Sequence, residues 1–271
     1  MGFLTDHVQR VREDLQRKPL DESALLARAM STPPGRDFHA ALHQQHPAVI
    51  AEIKRASPSA GEIADIDPGA TAAALASAGA AALSVLTEPR HFDGSLSDLR
   101  AARMKARIPI LRKDFLIHPA QVIEARAAGA DAVLLITACL SDSELGALLE
   151  TATDVGLASV VEAHTDEDLD RAIESGAPIV GVNARDLESL EIDEARALAL
   201  AERIPEDRTV VFESGIHSRA QVERAVGAGA HAILVGEALM RAKNPAAKLR
   251  QLRGEFAAVT GVSAHDQETE G

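Results

Sequence analysis

Eight short apolar runs, separated by Ala-rich amphipathic stretches, predict an α/β protein folded as a (β/α)8 TIM barrel. The runs fall at 48–53, 81–86, 108–112, 131–136, 157–162, 178–182, 208–213 and 231–236. They lack apolar–polar alternation, as parallel strands covered on both faces should. A near-repeat is the second observation: A-G-A-A-A-L-S-V-L at 78–86, A-G-A-D-A-V-L-L-I at 128–136, S-G-A-P-I-V-G-V at 175–182 and A-G-A-H-A-I-L-V-G at 228–236. Each copy carries a glycine (Gly79, Gly129, Gly176, Gly229) where a helix ends in the left-handed conformation, and a strand follows at once. The copies recur about every two βα units, as a closed ring of eight allows. The third observation is an absence. No G-x-G-x-x-G follows any run, which tells against the alternative, a doubly wound open sheet.

Taken in order, residues 3–30 read as helix, with Leu4, Val8, Val11 and Leu15 at helical spacing, a break at Pro19 and resumption from Glu22 to Met30. Residues 31–46 read as a linker through Pro33, Pro34 and Gly35, with a short helical piece around Phe38 to Leu42. Residues 1–46 are therefore expected to form a helical arm packed on a barrel spanning 47–257. Barrel helices are expected at roughly 69–79, 96–107, 119–128, 142–154, 166–175, 193–203 and 219–228, with a last one over 238–257. Asp67-Pro68 supplies an N-cap with Pro at the first helical position. Ser141-x-x-Glu144 and Ser218-x-x-Gln221 are capping boxes, and Thr165-x-x-Asp168 is a weaker version. Residues 258–271 read as a flexible polar tail.

Composition narrows the function classes. With 271 residues and 46% apolar content, the chain can bury one full core. A formal charge of −13 without any Lys/Arg-rich run argues against nucleic acid or anionic membrane as partner. The one cysteine, Cys139, sits in an apolar run and excludes an intrachain disulfide, which fits a reducing compartment. No stretch reaches the length of a membrane span, and the first twenty residues are amphipathic rather than signal-like. The expected location is the cytoplasm. Ten histidines are scattered without ligand spacing, and no Asp-rich loop occurs, so neither metal nor cofactor is expected. His7, His39, His43, His46 and His91 read as surface or loop residues. Two per cent aromatic content leaves few rings for an aromatic ligand to stack on.

The chemistry gathers where barrels hold it, at the C-terminal ends of the strands. The stretch V-I-A-E-I-K-R-A-S-P-S at 49–59 places Glu52 and Lys54 two residues apart, on one side of a strand. A strand-end salt bridge facing solvent is the plain explanation. An active-site floor is the other, because an ion pair on an inner face is costly for stability alone. Later strand ends add Lys113 (I-L-R-K-D-F), Glu162 (V-V-E-A-H), Asn183 and Arg185 (G-V-N-A-R-D-L), Glu213-Ser214-Gly215 (V-F-E-S-G-I) and Gly236-Glu237. Any one could be a structural rim residue, but packing accounts poorly for the set. The loops after strands seven and eight commonly cradle phosphate in this fold. Gly215 and Gly236 would let backbone N–H groups approach an anion, unless they merely serve tight turns. Ser57 and Ser214 have no histidine in a triad-like setting, so nucleophilic serine chemistry is not expected.

The blocks E-I-K-R-A-S-P-S, H-F-D-G-S, I-L-R-K-D-F, V-V-E-A-H, G-V-N-A-R-D-L, F-E-S-G-I and L-V-G-E-A-L-M, preceded by R-D-F-x-x-A-L at 36–42, resemble the indole-3-glycerol phosphate synthases in that family's order. The resemblance covers essentially residues 1–257. It implies ring closure of 1-(2-carboxyphenylamino)-1-deoxyribulose 5-phosphate, with loss of CO2 and water, in tryptophan biosynthesis and without a cofactor. It implies Lys113 as general acid at the C2′ carbonyl and Glu162 as the carboxylate handling protons. Lys54, positioned by Glu52, would lie near both the phosphate and the reacting centre. Ser57, Asn183 and Arg185 would meet the substrate carboxylate and hydroxyls, and Glu213 and Ser214 would line the strand-seven side. Gly215, Gly236 and Glu237 would fall at the phosphate.

Physical chemistry adds two expectations. A desolvated Lys113 clustered with Lys54 should have its pKa lowered toward the working range. Pro58, Phe92 and Phe115 are the apolar surfaces available to the anthranilate ring. Two departures from the family stand out: only Phe3 offers an aromatic ring on the N-terminal arm, and Glu237 stands where a small hydroxyl residue is common. Beside a phosphate, Glu237 should offer its N–H and turn its carboxylate away. Two other readings stay open: a Schiff-base lyase or aldolase with Lys113 or Lys54 as nucleophile, and a non-catalytic phosphosugar-binding barrel. In each the partner is a phosphorylated small molecule, and the expected assembly is a monomer or weak homodimer.

Overall fold

Eight parallel strands close into a barrel: β1 (Ala48–Ile53), β2 (Ala82–Leu86), β3 (Ile110–Lys113), β4 (Ala132–Ile136), β5 (Ala158–Ala163), β6 (Ile179–Asn183), β7 (Thr209–Glu213) and β8 (Ala232–Val235). Closure is made by β1, which pairs with β2 (Ile50 opposite Ala82) and with β8 (Ala51 opposite Val235). Residues 2–255 are described in this structure, a computed structural model. Each predicted run is a strand, shifted by one or two residues at most. Nearly every strand residue is buried, because helices cover the outside and side chains fill the inside.

The barrel helices α4 (Pro68–Ser77), α5 (Leu96–Lys105), α6 (Pro119–Ala128), α7 (Asp142–Asp154), α8 (Asp166–Glu174), α9 (Glu194–Ala201) and α10 (Arg219–Gly227) match the predicted set. Their starts follow the sequence signals. Asp67 accepts the Ala70 N–H at 2.7 Å, and the boxes at Ser141, Thr165 and Ser218 are all closed. A fourth box at His118 and Gln121 was not anticipated, since an imidazole takes the place of the hydroxyl. Gly79, Gly129, Gly176 and Gly229 have φ of 93°, 95°, 78° and 97°, so the near-repeat is a repeated left-handed helix exit.

One prediction needs amending, one element was not predicted, and one prediction is not tested. The expected helix over 238–257 is two helices, α11 (Glu237–Met240) and α12 (Pro245–Arg253), because Asn244 caps a new start with Pro245 behind it. A small antiparallel hairpin pairs Ala56–Ser57 with Gly61–Glu62 beyond β1, and runs of two residues carry no periodicity to read. The predicted polar tail at 258–271 lies outside the described residues.

Ahead of the barrel come α1 (Phe3–Arg17), α2 (Glu22–Ser31) and α3 (Phe38–His43). Below the barrel, Phe38 and Leu42 of α3 are buried. There Asp131 ties arm to barrel: its carboxylate accepts the N–H groups of Arg36 (2.7 Å) and Ile110 (2.9 Å) and the Arg103 guanidinium (2.7 Å). At the other end α1 crosses the mouth, where the Phe3 N–H donates to the Glu188 carbonyl at 3.3 Å. Among the described residues no helix is long and apolar enough to cross a membrane.

Candidate active site

At the floor of the barrel mouth, the Lys113 ammonium donates to Glu162 at 2.8 Å and to Glu213 at 2.9 Å. Both carboxylates are 1% exposed at the side chain, and Lys113 is 14% exposed. On another side of the floor Lys54 is paired with Glu52 at 2.6 Å. Glu52, Lys113, Glu162 and Glu213 come from β1, β3, β5 and β7. Barrel interiors stack in this way, with alternate strands contributing to one layer. A layer that packing would fill with Val or Leu here holds four ionisable groups.

Their neighbours decide their charges. Burial opposes the Lys113 charge, but the carboxylates of Glu162 and Glu213 outweigh it and hold the pKa above that of an ordinary lysine. This corrects the expectation of a lowered Lys113 pKa, because Glu162 and Glu213 rather than Lys54 flank it. Burial would raise Glu162, yet the Lys113 charge and hydrogen bonds from Lys113 and Asn183 hold it below the usual carboxylate range. Glu213 goes the other way. Burial, with the Glu162 charge adding to it, pushes Glu213 up to about 8 despite Lys113. Its Oε1 has no hydrogen-bond partner. At neutral pH the two carboxyls therefore differ: Glu162 is charged, and Glu213 keeps a proton.

Asn183 orients Glu162, donating Nδ2–H to Oε1 at 3.0 Å, while the Thr137 hydroxyl donates to the Glu162 carbonyl at 2.6 Å. Two glycines make the space. A Cβ on Gly181 would stand 2.5 Å from Glu213 Oε1 and 3.2 Å from Val160 Cγ1. On Gly236 a Cβ would run into the Glu52 carboxylate, 2.9 Å from its Cδ. Gly236 has an ordinary negative φ of −123°. Its smallness thus has a second reason besides approach to an anion: it makes room for Glu52.

Above the floor opens a cavity of about 960 Å³, the open space at the barrel mouth included. Every residue singled out from the sequence lines it, including Ser57, Pro58, Phe92, Phe115, Arg185, Ser214, Gly215 and Glu237. Phe92 and Phe115 stand with ring centroids 6.4 Å apart. The Phe92 turn is fixed by Glu88, whose carboxylate accepts the N–H groups of Arg90 (2.8 Å), His91 (2.7 Å) and Phe92 (3.2 Å). Opposite, Ser214 and Gly215 have successive positive φ of 68° and 73°, which turns the chain sharply after β7. Asp114, Leu187, Leu190 and His217 also line the cavity and were missed. The two leucines sit in an aperiodic loop whose sequence carries no signal for them.

His7 corrects another expectation. It is buried, at 2% exposed, with its ring 4.3 Å from that of Phe115. Burial, partly offset by Glu88, lowers its pKa and favours the neutral ring. His39, His43 and His46 are exposed, as expected, and His91 is partly buried. Among the described residues no three of His, Cys, Asp or Glu are grouped to hold a metal ion.

The sequence model of the family described as indole-3-glycerol phosphate synthase matches residues 3–252. The chain belongs to the indole-3-glycerol phosphate synthase family. Its relatives include the indole-3-glycerol phosphate synthase of Micrococcus luteus, 48% identical over 261 residues, covering 93% of this chain and 97% of that protein. That of Saccharopolyspora erythraea is 46% identical over 257 residues, covering 93% and 95%. Among solved structures, 3-hexulose-6-phosphate synthase from Salmonella typhimurium shares the barrel with a TM-score of 0.62. At 14% identity, covering 77% of this chain and 97% of that one, this likeness shows the fold alone. Indole-3-glycerol phosphate synthases are decarboxylating lyases of tryptophan biosynthesis. Both departures from the family pattern have a place in the structure. Phe3 lines the cavity from α1, its ring 6.2 Å from that of Phe115. Glu237 turns its carboxylate to the Arg241 guanidinium at 2.9 Å.

Proposed function

We propose that the chain closes the indole ring of 1-(2-carboxyphenylamino)-1-deoxyribulose 5-phosphate, releasing CO2 and water. The observation that carries this reading is Lys113, charged and buried between Glu162 and Glu213 at the floor of the cavity in the barrel mouth. The anthranilate ring lies against Pro58, Phe92 and Phe115. The substrate carboxylate and hydroxyls meet Ser57, Asn183 and Arg185, with Glu213 and Ser214 on the strand-seven side. The phosphate lies at the N–H groups around Gly215, Gly236 and Glu237, with Lys54 supplying the opposite charge.

Lys113 protonates the C2′ carbonyl oxygen as the ring carbon bearing the carboxylate attacks C2′. The raised pKa keeps this acid loaded at neutral pH. Loss of CO2 returns an electron pair to the ring and restores aromaticity. Lys113 regains a proton from solvent, the C2′ hydroxyl leaves as water with that proton, and Glu162 takes the proton lost from C1′. Glu52 holds Lys54 in place throughout. A Schiff-base role for Lys113 finds no support here, because a nucleophilic amine must be neutral. Borohydride should trap no adduct.

The acidic composition and single cysteine support a cytoplasmic location, with no nucleic acid or membrane as partner. Residues 1–46 act as an arm on the barrel. Incubating the purified protein with the carboxyphenylamino sugar phosphate should produce indole absorbance. Substrate left unconverted by folded protein would refute the assignment.

A further inference from the structure

Two residues beyond Glu162, His164 follows β5 directly and is buried beneath the loop that follows β6. Its Nδ1 lies 2.9 Å from the Asn183 carbonyl oxygen and 2.9 Å from Arg196 Nη2. Its Nε2 faces Asp186 Oδ2 at 3.4 Å, and the Arg196 guanidinium closes over the ring. The other Asp186 oxygen accepts the N–H groups of Glu188 (2.6 Å) and Ser189 (3.0 Å). Glu188 in turn takes hold of α1. Its carbonyl accepts the Phe3 N–H at 3.3 Å, and its carboxylate accepts the Thr5 N–H at 3.1 Å and the Thr5 hydroxyl.

A continuous line of polar contacts thus runs from the strand carrying Glu162 to the arm over the mouth. The segments it joins border the cavity: Arg185, Leu187 and Leu190 of the loop and Phe3 of α1 all line it. The loop needs such support. Leu190 sits at φ 65°, a conformation unfavourable for a leucine, and is held there by its N–H on the Asp186 carbonyl at 2.8 Å. We propose that His164 is a positioning residue that sets the 184–192 loop and, through Asp186 and Glu188, holds α1 and Phe3 over the substrate. The substrate effect rests on the ring-closure reading above; the mechanical link does not.

The test separates the two ring nitrogens. His164→Asn keeps a donor near the Nδ1 position and removes the nitrogen facing Asp186, whereas His164→Gln extends an amide toward Asp186. His164→Asn should raise KM about tenfold, the effect of one hydrogen bond to a charged group, with kcat changed by less than about twofold. Amide exchange over residues 3–8 should quicken while the barrel strands stay protected. Glu188→Ala should do the same, and the double variant should be no worse than the poorer single. His164→Gln should recover most of the KM. Unchanged exchange at 3–8 in His164→Asn, a fall in kcat at constant KM, or additive effects in the double would each overturn the proposal. Exchange needs no turnover, so wild-type protein that makes no indole while exchange responds as stated would defeat the ring-closure reading and leave the link standing. Should His164→Asn fail to fold, His164→Gln and Glu188→Ala carry the exchange test alone.

Discussion

Replacing Gly181 by Ala adds one carbon to a strand and should disable the site. The new Cβ would stand 2.5 Å from Glu213 Oε1, where contact needs about 3.3–3.5 Å, so the oxygen must retreat by nearly 1 Å. It has nowhere easy to go. The Glu213 side chain is 1% exposed and tied through Oε2 to Lys113, and the new methyl cannot back away because Val160 Cγ1 would stand 3.2 Å from it. The backbone raises no objection, since Gly181 is not among the left-handed glycines. Overpacking of this size costs about 1–3 kcal/mol, partly offset by the roughly 0.5–1 kcal/mol that alanine gains over glycine within a strand. The melting temperature should therefore fall by only a few degrees, at about 2–4 °C per kcal/mol for a chain of this size. Displacing a member of the catalytic cluster by about 1 Å should cost on the order of 10²-fold in kcat. Indole absorbance under saturating substrate gives kcat, and a thermal melt in the same buffer gives stability. In a Glu213→Ala background the added methyl should have no further effect on kcat. Wild-type turnover in folded Gly181→Ala would refute the claim that the glycine exists to seat Glu213.

Lys113→Met keeps most of the apolar length and should lower kcat by about 10²–10⁴-fold, as should Glu162→Gln, while the double variant is little worse than the poorer single in single-turnover assays. Near-normal turnover in Lys113→Met would move the acid to Lys54. The raised Glu213 pKa, about 8, means the folded protein holds this proton more tightly than the unfolded chain. Its contribution to stability is therefore complete at acid pH and is lost as pH rises from about 4.5 to about 8. Glu213→Gln does not titrate, so its melting temperature should gain on wild type across that window, and a constant difference would contradict the assignment. Gly236→Val drives a side chain into Glu52 and crowds the phosphate loop, so KM should rise steeply, and inorganic phosphate should inhibit wild type competitively. Unchanged KM in that variant would remove Gly236 from the phosphate site.

The barrel was legible because its signals are local. An apolar run, a left-handed glycine and a capping box each lie within a dozen residues of the strand or helix they define. The strand-end residues were legible for a related reason: a charge closing an apolar run in this fold points into the mouth. The sign of the Lys113 shift was not legible. It depends on Glu162, 49 residues away, and Glu213, 100 residues away, and only closed geometry brings them within 3 Å. His7 was misread because a histidine on an amphipathic helix resembles a surface residue until Phe3, His91 and Phe115 enclose it. The break before α12 was different. Asn244-Pro245 is an ordinary helix start that the reading of one helix over 238–257 passed over.

The two sets of strands divide the work of the site. Odd-numbered strands bring the ionisable groups inward, while even-numbered strands end in residues that place them. Thr137 beyond β4 donates to the Glu162 carbonyl, and Asn183 at the end of β6 holds its carboxylate. Gly181 within β6 opens the space for Glu213, and Gly236 after β8 opens the space for Glu52. Identical surroundings would give Glu162 and Glu213 similar proton affinities, and two adjacent carboxyls would then share a proton. The asymmetry of β6 sets the two apart. Asn183 gives Glu162 a donor, whereas Gly181 gives the Oε1 of Glu213 only room, leaving that oxygen unpartnered. One strand, through an amide and a missing side chain, thereby separates a charged carboxylate that can accept a proton from a neutral one that retains its own.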